Sequence, residues 1–139
     1  MSRRYVRRAF TLIELLLVLV ILAVLAAVVV PRLTGRVESS RRGGTVATIS
    51  NIKTALGIFE TDVGRYPTTE EGLTFLMSNL TNDPMWKGPY LEKWPQDSWG
   101  HDFDYKCPGV EFPDSYDLTS AGTDGNAGTD DDIHKNDVY

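Results

Sequence analysis

Residues 10–30, from Phe10 to Val30, form an apolar run of 21 residues in which only Thr11 and Glu14 are polar. As a helix rising about 1.5 Å per residue, the run reaches about 31 Å, close to the hydrocarbon thickness of a bilayer. A soluble helix buries one stripe and wets the other. This one has no wet face over about six turns, so it needs a membrane or an equally apolar jacket. The run divides the chain into 1–9, 10–30 and 31–139. Arg3, Arg4, Arg7 and Arg8 precede it, and Arg32, Arg36, Arg41 and Arg42 follow it, so the positive-inside count is four against four. Glu38 and the tighter leader cluster tilt the balance towards a cytoplasmic N-terminus.

The 139 residues support one modest core. The formal charge is −5, and the leader's +4 leaves −9 for residues 10–139. The acid concentrates at the far end, where residues 97–139 hold eleven Asp and Glu against Lys106 and Lys135. Such a surface excludes nucleic acid as a partner, because phosphate binding needs clustered Lys and Arg. The single cysteine, Cys107, excludes an internal disulfide.

Beyond the run, Ile49, Ile52, Leu56, Phe59 and Val63 recur at spacings of 3 and 4, one apolar stripe on a helix. The simplest reading is one helix from 10 to about 63, kinked at Pro31, with a membrane-embedded half and an amphipathic half. Gly43-Gly44 weakens its middle by about 1 kcal/mol per glycine relative to alanine and marks a place to flex. Gly64 and Pro67 stop it. A short helix is predicted near 70–79. Phe103, Tyr105 and Cys107 alternate with Asp102, Asp104 and Lys106, which is strand spacing with one wet face, and Tyr116 and Leu118 repeat it. Cys107 thus reads as a small buried hydrophobe. The expected fold is α+β: a long helix packed on a small antiparallel sheet of two strands.

A carboxylate within an apolar run is retained where it finds a partner. Cleavage between Ala9 and Phe10 would create an α-amino cation four residues before Glu14, on the same or a neighbouring copy, and that is a natural counter-charge. A signal anchor that tolerates Glu14 near the interface is the plainer alternative. Ordinary signal-peptide cleavage after Ala26 is a third, and Glu14 inside its apolar region speaks against it.

The segment Arg7-Arg8-Ala9-Phe10-Thr11-Leu12-Ile13-Glu14, its apolar run and Pro31 resemble the class III signal of type IV prepilin-like proteins, with Ala9 where the family has glycine. The resemblance implies cleavage by a prepilin peptidase before Phe10, methylation of Phe10, and docking of subunits through Glu14. It extends further. Asp62, Gly64-Arg65-Tyr66-Pro67-Thr68-Thr69-Glu70-Glu71-Gly72-Leu73, Trp86-Lys87-Gly88-Pro89-Tyr90-Leu91 and Asp97-Ser98-Trp99-Gly100 resemble the major pseudopilins of type II secretion. That implies a homopolymer anchored in the bacterial inner membrane with its head in the periplasm. It also implies partners among the minor pseudopilins and the inner-membrane secretion machinery. Taken as packing alone, the aromatic-proline motifs rivet a loop to the helix by burying rings. An adhesive type IV pilin is the alternative, and it commonly closes a C-terminal loop with a disulfide that one cysteine cannot form. A membrane-anchored enzyme would have only His101 and His134 as imidazole bases and no nucleophile in a recognisable setting.

Asp124, Asp130, Asp131 and Asp132 place four carboxylates within nine residues, spaced by glycines. The residues alone leave two readings open, a solvated acidic turn or an oxygen site for a hard cation, calcium before zinc. It is no EF-hand, since the twelfth position from Asp124 is Lys135. The pseudopilin resemblance implies calcium, with ligands from Asp124, Asp131 and Asp132, Asp130 as a substitute for Asp131, and main-chain carbonyls of Ala121 and Asn126. After Ile133 that family continues Gly-Asn-Trp; this chain reads His134-Lys135-Asn136.

Overall fold

The computed structural model describes residues 10–137, with the side chains of all of these except 29–34. The leader and Ala9 lie outside the described residues. One helix, α1, spans Leu12–Val63; it does not end at Pro31. Among the described residues no helix is long and apolar enough to cross a membrane. The predicted run ends at 29–30, whose side chains are outside the description.

The chain forms two compact units, 1–38 and 39–139. In the first, the side chains from Leu12 to Val28 point outwards all round, with Phe10 at 75% and Leu12 at 77% exposure. In the second, Ile49, Ile52, Leu56 and Phe59 are completely buried, and Val63 packs at the edge of the same cluster. The stripe read from the spacing is therefore the helix's contribution to the core. Leu73, Phe75, Leu76, Phe103, Tyr105, Tyr116, Leu118 and Ile133 complete it.

Three strands, not two, form the sheet: β1 Asp104–Lys106, β2 Asp117–Ser120 and β3 Ile133–His134, antiparallel in that order. Tyr105 faces Leu118 across β1 and β2 and both point into the core, while Lys106 faces Asp117. The third strand escapes the alternation rule because it has two residues and follows the acidic run directly. The helix predicted near 70–79 is a single 3-10 turn, Leu73–Leu76.

Gly64 ends α1 at φ +83°, a left-handed conformation that glycine adopts without cost, and its N–H reaches the Glu60 carbonyl at 2.7 Å. Gly44 corrects the expectation of a flexible point. A Cβ there would lie 2.6 Å from Ser98 Oγ, and the neighbouring Thr45 hydroxyl accepts the Ser98 N–H at 3.1 Å. The glycine admits the 97–101 loop against the helix.

The aromatic-proline motifs do rivet the loops. The Trp86 indole donates to the Phe75 carbonyl at 2.8 Å, the Tyr105 hydroxyl to the Pro67 carbonyl at 2.7 Å, and Tyr90 stacks edge-on against Phe59. Cys107 is half-buried, with Sγ 3.7 Å from the Ser115 carbonyl.

Thr68 and Glu71 cap each other's backbone N–H groups, and Arg65 grips both Glu71 oxygens at 2.6 and 2.8 Å. The Arg65 guanidinium holds the Glu71 carboxyl below its usual range, against the opposing effect of burial. A depressed folded-state value means stabilisation present at neutral pH and lost as pH falls below that range. Glu71→Gln is expected to cost about 1–2 kcal/mol at pH 7. Urea titrations at pH 7 and pH 3 check it, since the difference between wild type and variant must shrink at pH 3.

Candidate functional site

Two segments carry the predicted site residues. At the start of α1, Thr11 and Glu14 close a reciprocal cap. The Thr11 N–H and hydroxyl both donate to Glu14 Oε2 at 2.9 Å, and the Glu14 N–H donates to Thr11 Oγ at 3.3 Å. This is the capping box that Thr11-Leu12-Ile13-Glu14 spells in sequence, a signal the charge reading of Glu14 passed over. The cap occupies one carboxylate oxygen. Glu14 Oε1 has no hydrogen bond among the described residues and faces outwards.

The acidic loop, 121–132, is tied down by its own aspartates. Asp131 Oδ2 accepts the N–H groups of Thr123 and Asp124 at 2.6 and 3.1 Å, and Asp132 Oδ2 accepts that of Gly128 at 2.8 Å. Asp124 Oδ1 accepts the Asn126 N–H at 2.8 Å. Gly122, at φ +62°, lets the strands of the loop close; a Cβ there would lie 2.4 Å from the Asp131 carbonyl.

Three of the predicted ligand oxygens surround one hydroxyl. Thr129 Oγ lies 2.6 Å from Asp131 Oδ1, 3.1 Å from the Asn126 carbonyl and 3.4 Å from Asp124 Oδ1. A hydroxyl has one proton to share among them. Asp132 Oδ1 is buried with no hydrogen-bond partner, the environment in which an anionic oxygen needs a cation. Asp130 is exposed and makes no hydrogen bond among the described residues; Ala121 is half-buried at the end of β2. No group of three or more His, Cys, Asp or Glu side chains among the described residues is placed to hold a metal ion. The donors gathered around Thr129, two carboxylate oxygens and a carbonyl oxygen, are of the type that a hard, oxygen-seeking cation takes.

Beneath the loop, the Asp97 side chain is completely buried. It accepts the N–H groups of Trp99 and His101 and the Ser120 hydroxyl, the last at 2.7 Å. His101 Nδ1 lies 3.1 Å from the Gly122 carbonyl. The Asp97-Ser98-Trp99-Gly100 motif thus supports the root of the acidic loop, a role that depends on contacts far apart in sequence.

Residues 32–137 match the family model described as type II secretion system protein G, and residues 4–30 match the prokaryotic N-terminal methylation motif. Type II secretion system core protein G of Aeromonas hydrophila is 42% identical over 89% of this chain and 88% of its own. The protein of the same name from Klebsiella michiganensis is 39% identical over 94% of each. The crystal structure of the major pseudopilin from the type 2 secretion system of enterohaemorrhagic Escherichia coli superposes with a TM-score of 0.63 at 33% identity, covering 73% of this chain and 87% of that one. The chain belongs to the protein G family of the type II secretion system.

Proposed function

We propose that this chain is the major structural subunit of the periplasmic pseudopilus that drives folded proteins across the outer membrane, and that it is not an enzyme. A prepilin peptidase cuts between Ala9 and Phe10 and the new terminus is methylated. Residues 10–30 hold the subunit in the inner membrane until they enter the filament, where they pack against the same segment of neighbouring copies. The observation that carries this reading is the outward-facing apolar surface of residues 10–28, with Glu14 as its one carboxylate. Minor pseudopilins and the inner-membrane secretion machinery are the further partners. Intact-mass analysis of the native protein is the test: a methylated Phe10 terminus is expected, and one at Met1 or Ala27 overturns the reading.

We further infer that the loop binds calcium. Asp124, Asp131 and the Asn126 carbonyl supply the gathered oxygens, Asp132 the unpaired one, and the Ala121 carbonyl lies at the loop's root; Asp130 is left to solvent. The ion's contribution is structural, neutralising clustered charge so that the loop holds one shape for packing between subunits.

A further inference from the structure

We propose that Lys135 and Lys53 form an internal cation clamp that holds the root of the acidic loop on the head, keeping its ligand oxygens gathered before any ion binds. Lys135 immediately follows β3, three residues beyond Asp132, and is only 8% exposed. Its ammonium donates to the Tyr116 carbonyl and to Ser115 Oγ. It also lies 4.3 Å from the centre of the Phe112 ring and 4.2 Å from that of Tyr116, a cation seated between two aromatic faces. Its own carbonyl accepts the Lys53 ammonium of α1 at 3.2 Å. One turn is therefore bolted to the helix through its backbone and to the 112–116 loop through its side chain.

A buried ammonium must be compensated. Desolvation pushes the Lys135 pKa down, the Asp117 carboxylate opposes it, and the like charge of Lys53 adds to the downward push. The clamp therefore rests on the hydrogen bonds and rings rather than on the two charges helping each other. Asp117 is itself held by the N–H groups of Val110 and Glu111 on Oδ2, with Oδ1 buried and without a hydrogen bond. Two aromatic faces, two oxygen acceptors and a fixed anion are more than a lysine stem packing on the surface requires; they form a seat for a charge. Strand β3 has two residues and pairs with β2 on one edge, too little to fix the end of a nine-residue acidic stretch from Asp124 to Asp132.

The test uses the full chain in detergent, with hydrogen exchange followed over residues 130–137 in EDTA and terbium luminescence titration as the calcium probe. In EDTA, Lys135→Met is expected to exchange about tenfold faster than wild type there and Lys53→Met about threefold faster, with exchange at Ile49–Phe59 unchanged. Terbium affinity should fall about tenfold in Lys135→Met and recover in Lys135→Arg, which restores the charge and its ring contacts. Wild-type exchange over 130–137 in both methionine variants overturns the clamp, as does a Met variant that matches the Arg variant. If Lys135→Met does not fold, Lys53→Met decides alone: threefold faster exchange supports the clamp and none overturns it. The affinity arm rests on the calcium reading above; a wild type that binds no terbium refutes that reading and leaves the exchange arm to judge the clamp.

Discussion

Glu14→Ala is expected to reduce filament yield on overexpression by at least about a hundredfold while leaving the head's melting temperature unchanged. The carboxylate belongs to the first compact unit and the core to the second, so its loss costs the head nothing. In the apolar interior of a filament, however, an unpaired carboxylate is expensive, and a correctly placed cation removes that cost. The Thr11 cap engages Oε2 and leaves Oε1 open, and the α-amino group that the proposed cleavage before Phe10 would release is the expected counter-charge. Capping and charge are separable. Glu14→Gln keeps a residue able to complete the capping box but has no charge to offer an amine. If pairing with the terminus of a neighbouring copy drives docking, Gln fails nearly as badly as Ala. Wild-type filament yield in Glu14→Gln, measured in sheared and pelleted fractions, would overturn the pairing.

The parts of the fold governed by local periodicity were legible. Ile49, Ile52, Leu56 and Phe59 are buried because spacings of 3 and 4 put them on one face, and Tyr105 and Leu118 are buried because alternate strand residues share a side. The stop at Gly64 followed from its backbone freedom. What was missed depends on distant partners. The seat of Lys135 shows only once Phe112 and Tyr116 are placed beneath it. Gly44 reads as a weak point until Ser98 is set against it. β3 is too short for any period to show, and it exists because Ser120 and Thr119 offer it an edge. In the acidic loop, the residues alone gave four carboxylates and the resemblance set Asp130 apart only as a substitute for Asp131, whereas the backbone distinguishes them all: Asp131 is the hub, Asp132 holds an unpaired oxygen, and Asp130 is left outside.

That distinction sets the largest effect expected in the loop. On the proposed calcium reading, Asp131→Ala should weaken calcium binding by at least about a hundredfold, because one substitution removes a proposed ligand oxygen and the hydrogen bonds that hold the N–H groups of Thr123 and Asp124 and the Thr129 hydroxyl. Asp130→Ala, which removes an exposed side chain that makes no hydrogen bond among the described residues, should leave affinity within about twofold. The wild type should gain at least about 5 °C in melting temperature when calcium is raised well above its dissociation constant, since an ion that binds only the folded state stabilises by mass action. Asp131→Ala should gain nothing. Calorimetric titration with calcium orders the variants; retained binding in Asp131→Ala with loss in Asp130→Ala would reverse the ligand assignment. The pH dependence has a definite sign. The Thr129 hydroxyl and the backbone N–H groups of Asp124 and Thr123 hold the Asp131 carboxyl below its ordinary value of 3.8. A depressed folded-state value keeps the ligand charged above that point, with its contribution lost only as pH falls through the lowered value. Calcium binding is therefore expected to survive unchanged from pH 7 to pH 5, and a loss of affinity already at pH 6 would mean that a group other than this carboxylate governs the loop.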